Sequence, residues 1–378
     1  MLCEECHQNE AVYTISVMMG EAMTQRHLCA DCMAKMNMNI ASGNMQKLLG
    51  AILNAINRGE QPEEGDATAA PDDSAGEPYR VAFLLPGLIS DAGWNAGGYY
   101  GAEYLNENVE NVEATYIENI TTAVAEATLR DYADQGYDMI VGYSFDFGDY
   151  IMKVAPDYPD TQFIWSQGYM QLNNLSTMAP QLQETAYLCG MIAAGMSETG
   201  VIGFIGGMDT MPMIAALEGY KEGARAYDPD IEIKHAFAGT WSDTELGKQT
   251  AVAMFEQGVD VLMGRGDGIA LGCFQACIEN GVYCFGDVSD QNELAPELLL
   301  TSTCNNIGRT LELIIEDIRA SGSTVVGKNY NYGMPDGVAY LSDFHGLVPD
   351  DLAQLVYETQ EKIVSGELVI EQKTEVSE

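Results

Sequence analysis

Residues 184–231 read ETAYLCGMIAAGMSETGVIGFIGGMDTMPMIAALEGYKEGARAYDPDI. Helical periodicity over Glu184–Glu198 gives way to a β-rich run, Val201–Ile205, and then to a second helical pattern, Met211–Tyr227. A strand that begins afresh after a long helix marks the start of a second series of βαβ units. On the N-terminal side the predicted strands are Arg80–Leu85, Val112–Ile117, Met139–Gly142 and Gln162–Trp165, with helices Asn95–Asn108 and Thr122–Gln135 between them. On the C-terminal side they are Ile231–Phe237, Val261–Met263, Tyr283–Phe285 and Leu298–Thr301, alternating with helices Asp243–Gln257, Gly268–Asn280 and Gly308–Ser321. Nine strands exceed one small sheet, so the expected class is α/β with two Rossmann-like lobes. No period of about 20 to 50 residues recurs, which excludes repeat architectures.

Before this domain, residues 59–78 read GEQPEEGDATAAPDDSAGEP, rich in acids and prolines and without a large apolar side chain, so they are predicted to form an extended, self-repelling linker. The expected organisation is a module over 1–58, the linker over 59–78, a two-lobed domain over 79–370 and a tail over 371–378. Across the 378 residues, 57 acids against 17 bases leave a formal charge of −40. Such a surface repels polyanions, so nucleic acid is not an expected partner. No run of about 18 apolar residues occurs to cross a membrane. The opening Met1-Leu2-Cys3-Glu4-Glu5-Cys6 has neither a basic nor an apolar leader segment, and the chain is expected to be cytoplasmic. In that compartment its nine cysteines read as metal ligands and buried thiols rather than disulfides.

Cys3-x-x-Cys6 and Cys29-x-x-Cys32 flank a predicted hairpin, Ala11–Val17 and Ala22–Leu28 with a turn near Gly20. Two such turns brought together supply four thiolates in the tetrahedral set that zinc takes, and a module this small would draw most of its folding free energy from the ion. One structural Zn2+ per chain is therefore expected, a redox dithiol being the alternative. Four thiolates leave no open position for catalysis. His7 and His27 adjoin the turns and read as supporting or surface residues rather than ligands. The segment MLCEECHQNEAVYTISVMMGE, with TQRHLC and CADC after it, resembles the N-terminal zinc module of bacterial protein-arginine-kinase activator proteins. That resemblance implies a protein-interaction or stress-sensing element. Met45–Ile56 has helical apolar spacing suited either to packing on this module or to a partner.

In open α/β sheets ligands lie beyond the carboxyl ends of the strands. After the first strand of the lobes comes Pro86–Gly98, where Asp91 offers acceptors, Trp94 a stacking face and Asn95 a donor and an acceptor; a helix-capping role for Asp91 or Asn95 is the alternative. Gly207 and Met208 follow the strand that opens the second lobe, and Asp267 follows Val261–Met263 beside Arg265.

The ordered series DAGWN, GYSFDFGDYIMKVAPDYPDTQFIW, GFIGG, the helix pattern Gly219-Tyr220-x-x-Gly223-x-x-x-Tyr227-x-Pro229-Asp230, GTWSDTELGKQTAVAMFEQGVDVLMGRGDG and ENGVYCFGDVSDQ followed by LTS resembles the basic membrane protein family of substrate-binding proteins over about residues 79–370. The resemblance implies a type I periplasmic-binding-protein fold, two lobes joined by three crossovers and closing on a purine nucleoside. It implies that Trp94 and Trp241 sandwich a base, with Asn95 and Phe145 beside it and Asp290 in the late Asp-Gln pair. Two departures follow from the same comparison. Val288 stands where the family carries a hydroxyl-binding Asp, and Asn305 follows the final strand where the family tends to have Lys. Both favour a free base over a nucleoside, unless a bulge in GDVSDQ turns Asp287 into the cleft. Arg265 and Asp267 are the available replacements.

Cys273, Cys277, Cys284 and Cys304 match no closed zinc spacing and read as small buried hydrophobes. No nucleophile elbow, P-loop, HExxH or triad is present, so a non-catalytic binding protein is expected and a nucleoside-processing enzyme is the lesser alternative. The expected role is a cytoplasmic sensor or regulator with a protein partner at the zinc module. The alternative is the binding component of an ABC-type nucleoside importer, associated with the membrane through its permease.

Overall fold

The computed structural model describes residues 13–19, 22–28, 77–91 and 93–377. The chain divides into two units, Met1–Ser74 and Ala75–Glu378. In the first, β1 (Tyr13–Met19) and β2 (Ala22–Leu28) pair antiparallel, from Tyr13 opposite Leu28 to Met19 opposite Ala22. The hairpin is thus where the sequence places it, with its first strand two residues further along. Cys3, Cys6, Cys29, Cys32 and the segment Met45–Ile56 lie outside the described residues, as does most of the 59–78 stretch.

The second unit holds two six-stranded sheets. The first sheet uses β3 (Tyr79–Leu84), β4 (Val112–Ile117), β5 (Met139–Gly142), β6 (Gln162–Ser166), β7 (Leu175–Met178) and the late β13 (Asn329–Tyr330). Their order is β4-β3-β5-β6-β7-β13, all parallel. The second sheet uses β8 (Val201–Gly206), β9 (Glu232–Phe237), β10 (Val261–Arg265), β11 (Tyr283–Val288), β12 (Leu299–Asn305) and β14 (Ala339–Leu341). It repeats the plan as β9-β8-β10-β11-β12-β14, with β14 alone antiparallel.

Eight of the helices that matter here follow the strands: α1 (Trp94–Asn108), α2 (Thr122–Asp134), α3 (Gly148–Val154), α4 (Leu182–Met196), α5 (Met211–Tyr227), α6 (Thr244–Phe255), α7 (Asp267–Asn280) and α8 (Ile307–Ser321). A ninth, α9 (Asp350–Val364), packs on the second lobe. Strands covered on both faces must be apolar throughout, and Val81–Leu84 and Met139–Val141 are fully buried. α8 shows how a helix chooses its lobe. Ile307, Leu311, Ile314, Ile315 and Ile318 line one face and pack on Val81, Phe83 and Val141 of the first sheet, although the helix follows a strand of the second.

The chain therefore crosses between lobes three times, before α4, before α8 and between β13 and β14. This is the type I periplasmic-binding-protein fold. In each sheet the strand order reverses next to the first strand, beside β3 and beside β8, and a ligand crevice is expected at such switch points.

Several elements go beyond the predicted ones. β7 escapes a hydropathy reading because Ser176 and Thr177 are buried in it; their hydroxyls reach Val326 O (2.8 Å), just before β13, and Asn329 Oδ1 (2.8 Å) in β13. β10, β11 and β12 run on to Arg265, Val288 and Asn305, past the apolar residues that announce them.

Candidate ligand-binding cleft

A cavity of about 880 Å3 lies between the lobes, at the carboxyl ends of both sheets. Its volume falls within the usual range for small-molecule sites. Among the sequence-derived candidates, Asp91, Trp94, Asn95, Phe145, Met208, Trp241, Asp267, Asp287 and Asn305 line it. Gly207 and Asp290 do not.

The loop after β3 is built around Asp91. Its Oδ1 accepts from Gly93 N (3.0 Å) and Ala96 N (3.0 Å), and its Oδ2 from Asn95 N (2.8 Å) and Asn95 Nδ2 (2.7 Å). A carboxylate on the first amides of a helix satisfies donors that have no intrahelical partner and complements the helix dipole. Asp91 thus takes the capping role that sequence leaves open. Asn95, buried beneath it, accepts from Gly87 N through Oδ1 (2.8 Å), which leaves one amide N–H of its side chain for a ligand.

Trp94 donates its indole N–H to Tyr143 O (2.8 Å) and lies flat on the Tyr143 ring, with centroids 4.3 Å apart and planes at 14°. One face is therefore spent inside the lobe. Trp241, on the loop before α6, is backed by two glycines: a Cβ on Gly207 would stand 2.4 Å from Trp241 Cε3, and one on Gly266 3.2 Å. Gly266 also holds φ 105°, which excludes larger residues. Gly207 therefore serves the cleft from behind the ring. Phe145 sits in the loop after β5 and packs with Trp165 and Tyr169; Trp165 itself is core.

The floor belongs to the second lobe. Arg265, only 2% exposed, places Nη2 2.8 Å from Asp287 Oδ1 and donates through Nη1 to Thr303 Oγ1 (3.1 Å). Thr303 Oγ1 in turn lies 3.2 Å from Asp287 Oδ1, and Gln291 Oε1 accepts from Asp287 N (3.0 Å). The sequence leaves open whether Val288 replaces the acceptor or Asp287 turns into the cleft, and in the structure both residues line it. β11 slips by one residue against β12 between Cys284 and Gly286, and Val288 adopts φ 70°, a strained choice for a β-branched residue that costs roughly 1 to 3 kcal/mol. With the strand so distorted, both Asp287 and Val288 line the cavity, and the carboxylate acceptor is retained. Of the Asp-Gln pair it is Gln291 that lines the cleft. Asp290 turns away, with Oδ1 accepting from Asn292 N (3.1 Å) and Oδ2 lying 3.8 Å from His345 Nε2.

Asp267 opens α7 facing the cavity. Burial, and then the charges of Asp91 and Asp287, push its carboxyl up to about 7; its own backbone amide opposes this, and Asp146 adds to it. Asp146 and Ser144, beside Phe145, also line the cleft and were not singled out from sequence, although they follow a strand, where ligand residues are sought. Cys273, Cys277, Cys284 and Cys304 are buried, and burial pushes the thiols of Cys273 and Cys304 up to about 12. Among the described residues no group of three His, Cys, Asp or Glu side chains is arranged to hold a metal ion, and no helix is long and apolar enough to cross a membrane.

Comparison with known proteins bears on what such a cleft is for. A model of the Bmp family, described as ABC transporter substrate-binding protein PnrA-like, matches residues 79–374. A purine-binding protein of Brucella abortus (strain 2308) is 31% identical over 297 residues, 78% of this chain and 83% of the relative. The transcriptional activator protein med of Bacillus subtilis (strain 168) is 28% identical over 283 residues, 74% of this chain and 87% of the relative. The crystal structure of an ABC transporter solute-binding protein from Aeropyrum pernix K1 superposes with a TM-score of 0.65 at 25% identity, covering 78% of this chain and 94% of that one.

Proposed function

The chain belongs to the Bmp family of PnrA-like ABC-transporter substrate-binding proteins, and on that premise we propose that its two lobes close, without catalysis, on a purine nucleoside. One observation carries the ligand class: Trp94 and Trp241 line the same cavity from opposite lobes. A planar heterocycle held between two indoles gains roughly 1 to 3 kcal/mol from each stack, by analogy with bases on aromatic platforms. Trp94 is already fixed against Tyr143, so the free face needs no ordering when ligand arrives. The purine-binding relative from Brucella supports the same class.

The nucleoside is favoured over the free base by the floor. Asp287, oriented by Arg265, Thr303 and Gln291, is an acceptor for sugar hydroxyls, and Asn305 at the end of β12 is a second polar group on that side. Hydroxyls that pair there avoid the desolvation penalty that an apolar Val288 surface alone would impose.

For the wider role we propose a cytoplasmic sensor or regulator, supported by the four-cysteine segment at the N-terminus and by the likeness to a transcriptional activator. One zinc ion held by Cys3, Cys6, Cys29 and Cys32 would order that segment for a protein partner. A second reading, delivery of the ligand to an ABC permease, is favoured by the description of the family itself. Native mass spectrometry of the purified protein tests the ligand: a bound mass matching a purine nucleoside is expected, and a sugar or amino acid in its place rejects the proposal. Cell fractionation separates the roles, recovery with the membranes through a permease supporting the second.

A further inference from the structure

After α9 the chain turns back over the second lobe. Ile370, 4% exposed, joins the core there, and its carbonyl accepts from Gln183 Nε2 of α4 (3.3 Å). Lys373 pairs with Glu222 of α5. Ser377 is seated on a buried ion pair of the same helix, in which Lys221 Nζ lies 2.9 Å from Glu218 Oε1 and the two side chains are 4% and 1% exposed. Ser377 donates from its backbone N to Glu218 Oε1 (3.0 Å) and from Oγ to Glu218 Oε2 (2.6 Å), and its carbonyl accepts from Lys221 Nζ (2.8 Å). A buried pair is tolerated when its remaining lone pairs and protons are satisfied, and the returning segment satisfies them. This seat is polar and specific rather than a piece of core, for Gln372, Thr374 and Ser377 are themselves exposed.

Between Ile370 and Ser377 the segment passes a notch of about 140 Å3, which Gln372 and Thr374 line together with Gln167 of the first lobe, Pro212 of α5, and Ala179 and Asn331 of the first and third crossovers. Those two crossovers run side by side: Ala179 N donates to Tyr330 O (3.0 Å) and Gln181 N to Tyr332 O (2.9 Å). They are the connections about which the lobes must turn. Gln167 and Pro212 also line the ligand cleft, so they form the wall between the two cavities. Helix α5 therefore carries a piece of that wall on its first turn and the Ser377 seat about two turns further on. A segment fixed to the second lobe at both ends, and laid between them against the hinge and the first lobe, resists rotation of one lobe on the other.

We propose that residues 370–377 are a strap that braces the hinge behind the cleft, and that seating Ser377 on Glu218 and Lys221 raises nucleoside affinity by holding the free protein near the arrangement that binds. Apparent affinity scales with the fraction of molecules in the binding-competent arrangement, so the strap strengthens binding without touching the ligand. Its release weakens binding and widens the swing of the lobes, and bound ligand draws them together again.

The affinity measurement rests on the purine reading, while a scattering measurement on free protein does not. Guanosine is titrated by calorimetry, its release is followed by stopped-flow tryptophan fluorescence, and the radius of gyration is measured by small-angle scattering with and without guanosine. The proteins are the unmodified full chain, Ser377→Pro, which removes both donations to Glu218 and leaves the pair with Lys221, and a deletion of residues 372–378. Both variants should bind guanosine about tenfold more weakly, through faster release, and should show a larger radius of gyration without ligand that returns to the unmodified value at saturation. A peptide of residues 372–378 added in excess should restore affinity to the deletion variant. Folded variants whose affinity, release rate and ligand-free radius all match the unmodified protein overturn the strap alone. Should the deletion not fold, Ser377→Pro decides. Unmodified protein that binds no guanosine overturns the purine reading, and the ligand-free scattering comparison then decides the strap by itself.

Discussion

Trp241 rests on Gly207 and Gly266 and packs against the core of the second lobe, which fixes its ring at the cleft wall. Trp241→Ala should therefore remove a whole stacking face and weaken nucleoside binding by about 10 to 100-fold, the equivalent of roughly 1 to 3 kcal/mol, as read by calorimetry. Asp287→Ala should cost nucleosides more than free bases; an equal loss for adenosine and adenine would show that the carboxylate does not meet the sugar. Individual residues were unevenly legible. Trp94 could be placed by the rule that loops after strands carry ligands, and Trp241 and Asp287 by the family resemblance, but the direction of a side chain could not. Asp290 and Gln291 are adjacent, and only the β11 distortion decides which of them faces the cleft.

At the level of elements, α1 is the piece on which the lobes meet. Gly97 lets it approach the second lobe, for a Cβ there would stand 2.8 Å from Val288 Cγ1. Gly97→Leu should wedge the helix from β11, weaken nucleoside binding and enlarge the radius of gyration seen by small-angle scattering; unchanged affinity would show that this contact is not a pivot. The long helices and the buried strands were readable because their apolar periods are set by what they pack against. Where a strand ends in functional residues the signal fails: Arg265, Asp287 and Asn305 are strand residues by hydrogen bonding and loop residues by hydropathy. β13 and β14, two and three residues long, carry too little pattern to be seen. α9 is different. Leu352, Val356 and Ile363 are buried at helical spacing, a signal present in the sequence that the alternation of strands and helices drew attention away from.

For the molecule as a whole, the two lobes follow from a second strand series beginning at Val201 and the crossovers from the family resemblance, but which lobe α8 joins is decided by its Ile and Leu face meeting the first sheet. The zinc reading belongs to this scale too. If four thiolates hold one ion, Cys29→Ala should abolish stoichiometric zinc, and chelation should unfold residues 1–40 while leaving the calorimetric transition of the lobes in place; undiminished zinc in the variant would reject the assignment. The proposed closure on ligand draws on the cleft and its two aromatic faces together. Its most direct test is titration of the unmodified protein with adenosine and guanosine beside ribose and a set of amino acids, with tryptophan fluorescence followed in parallel. The account predicts saturable heat and quenching with the purine nucleosides only, together with a Tm that rises with their concentration. Saturable binding of ribose or an amino acid, with no heat or quenching from either nucleoside, would contradict it.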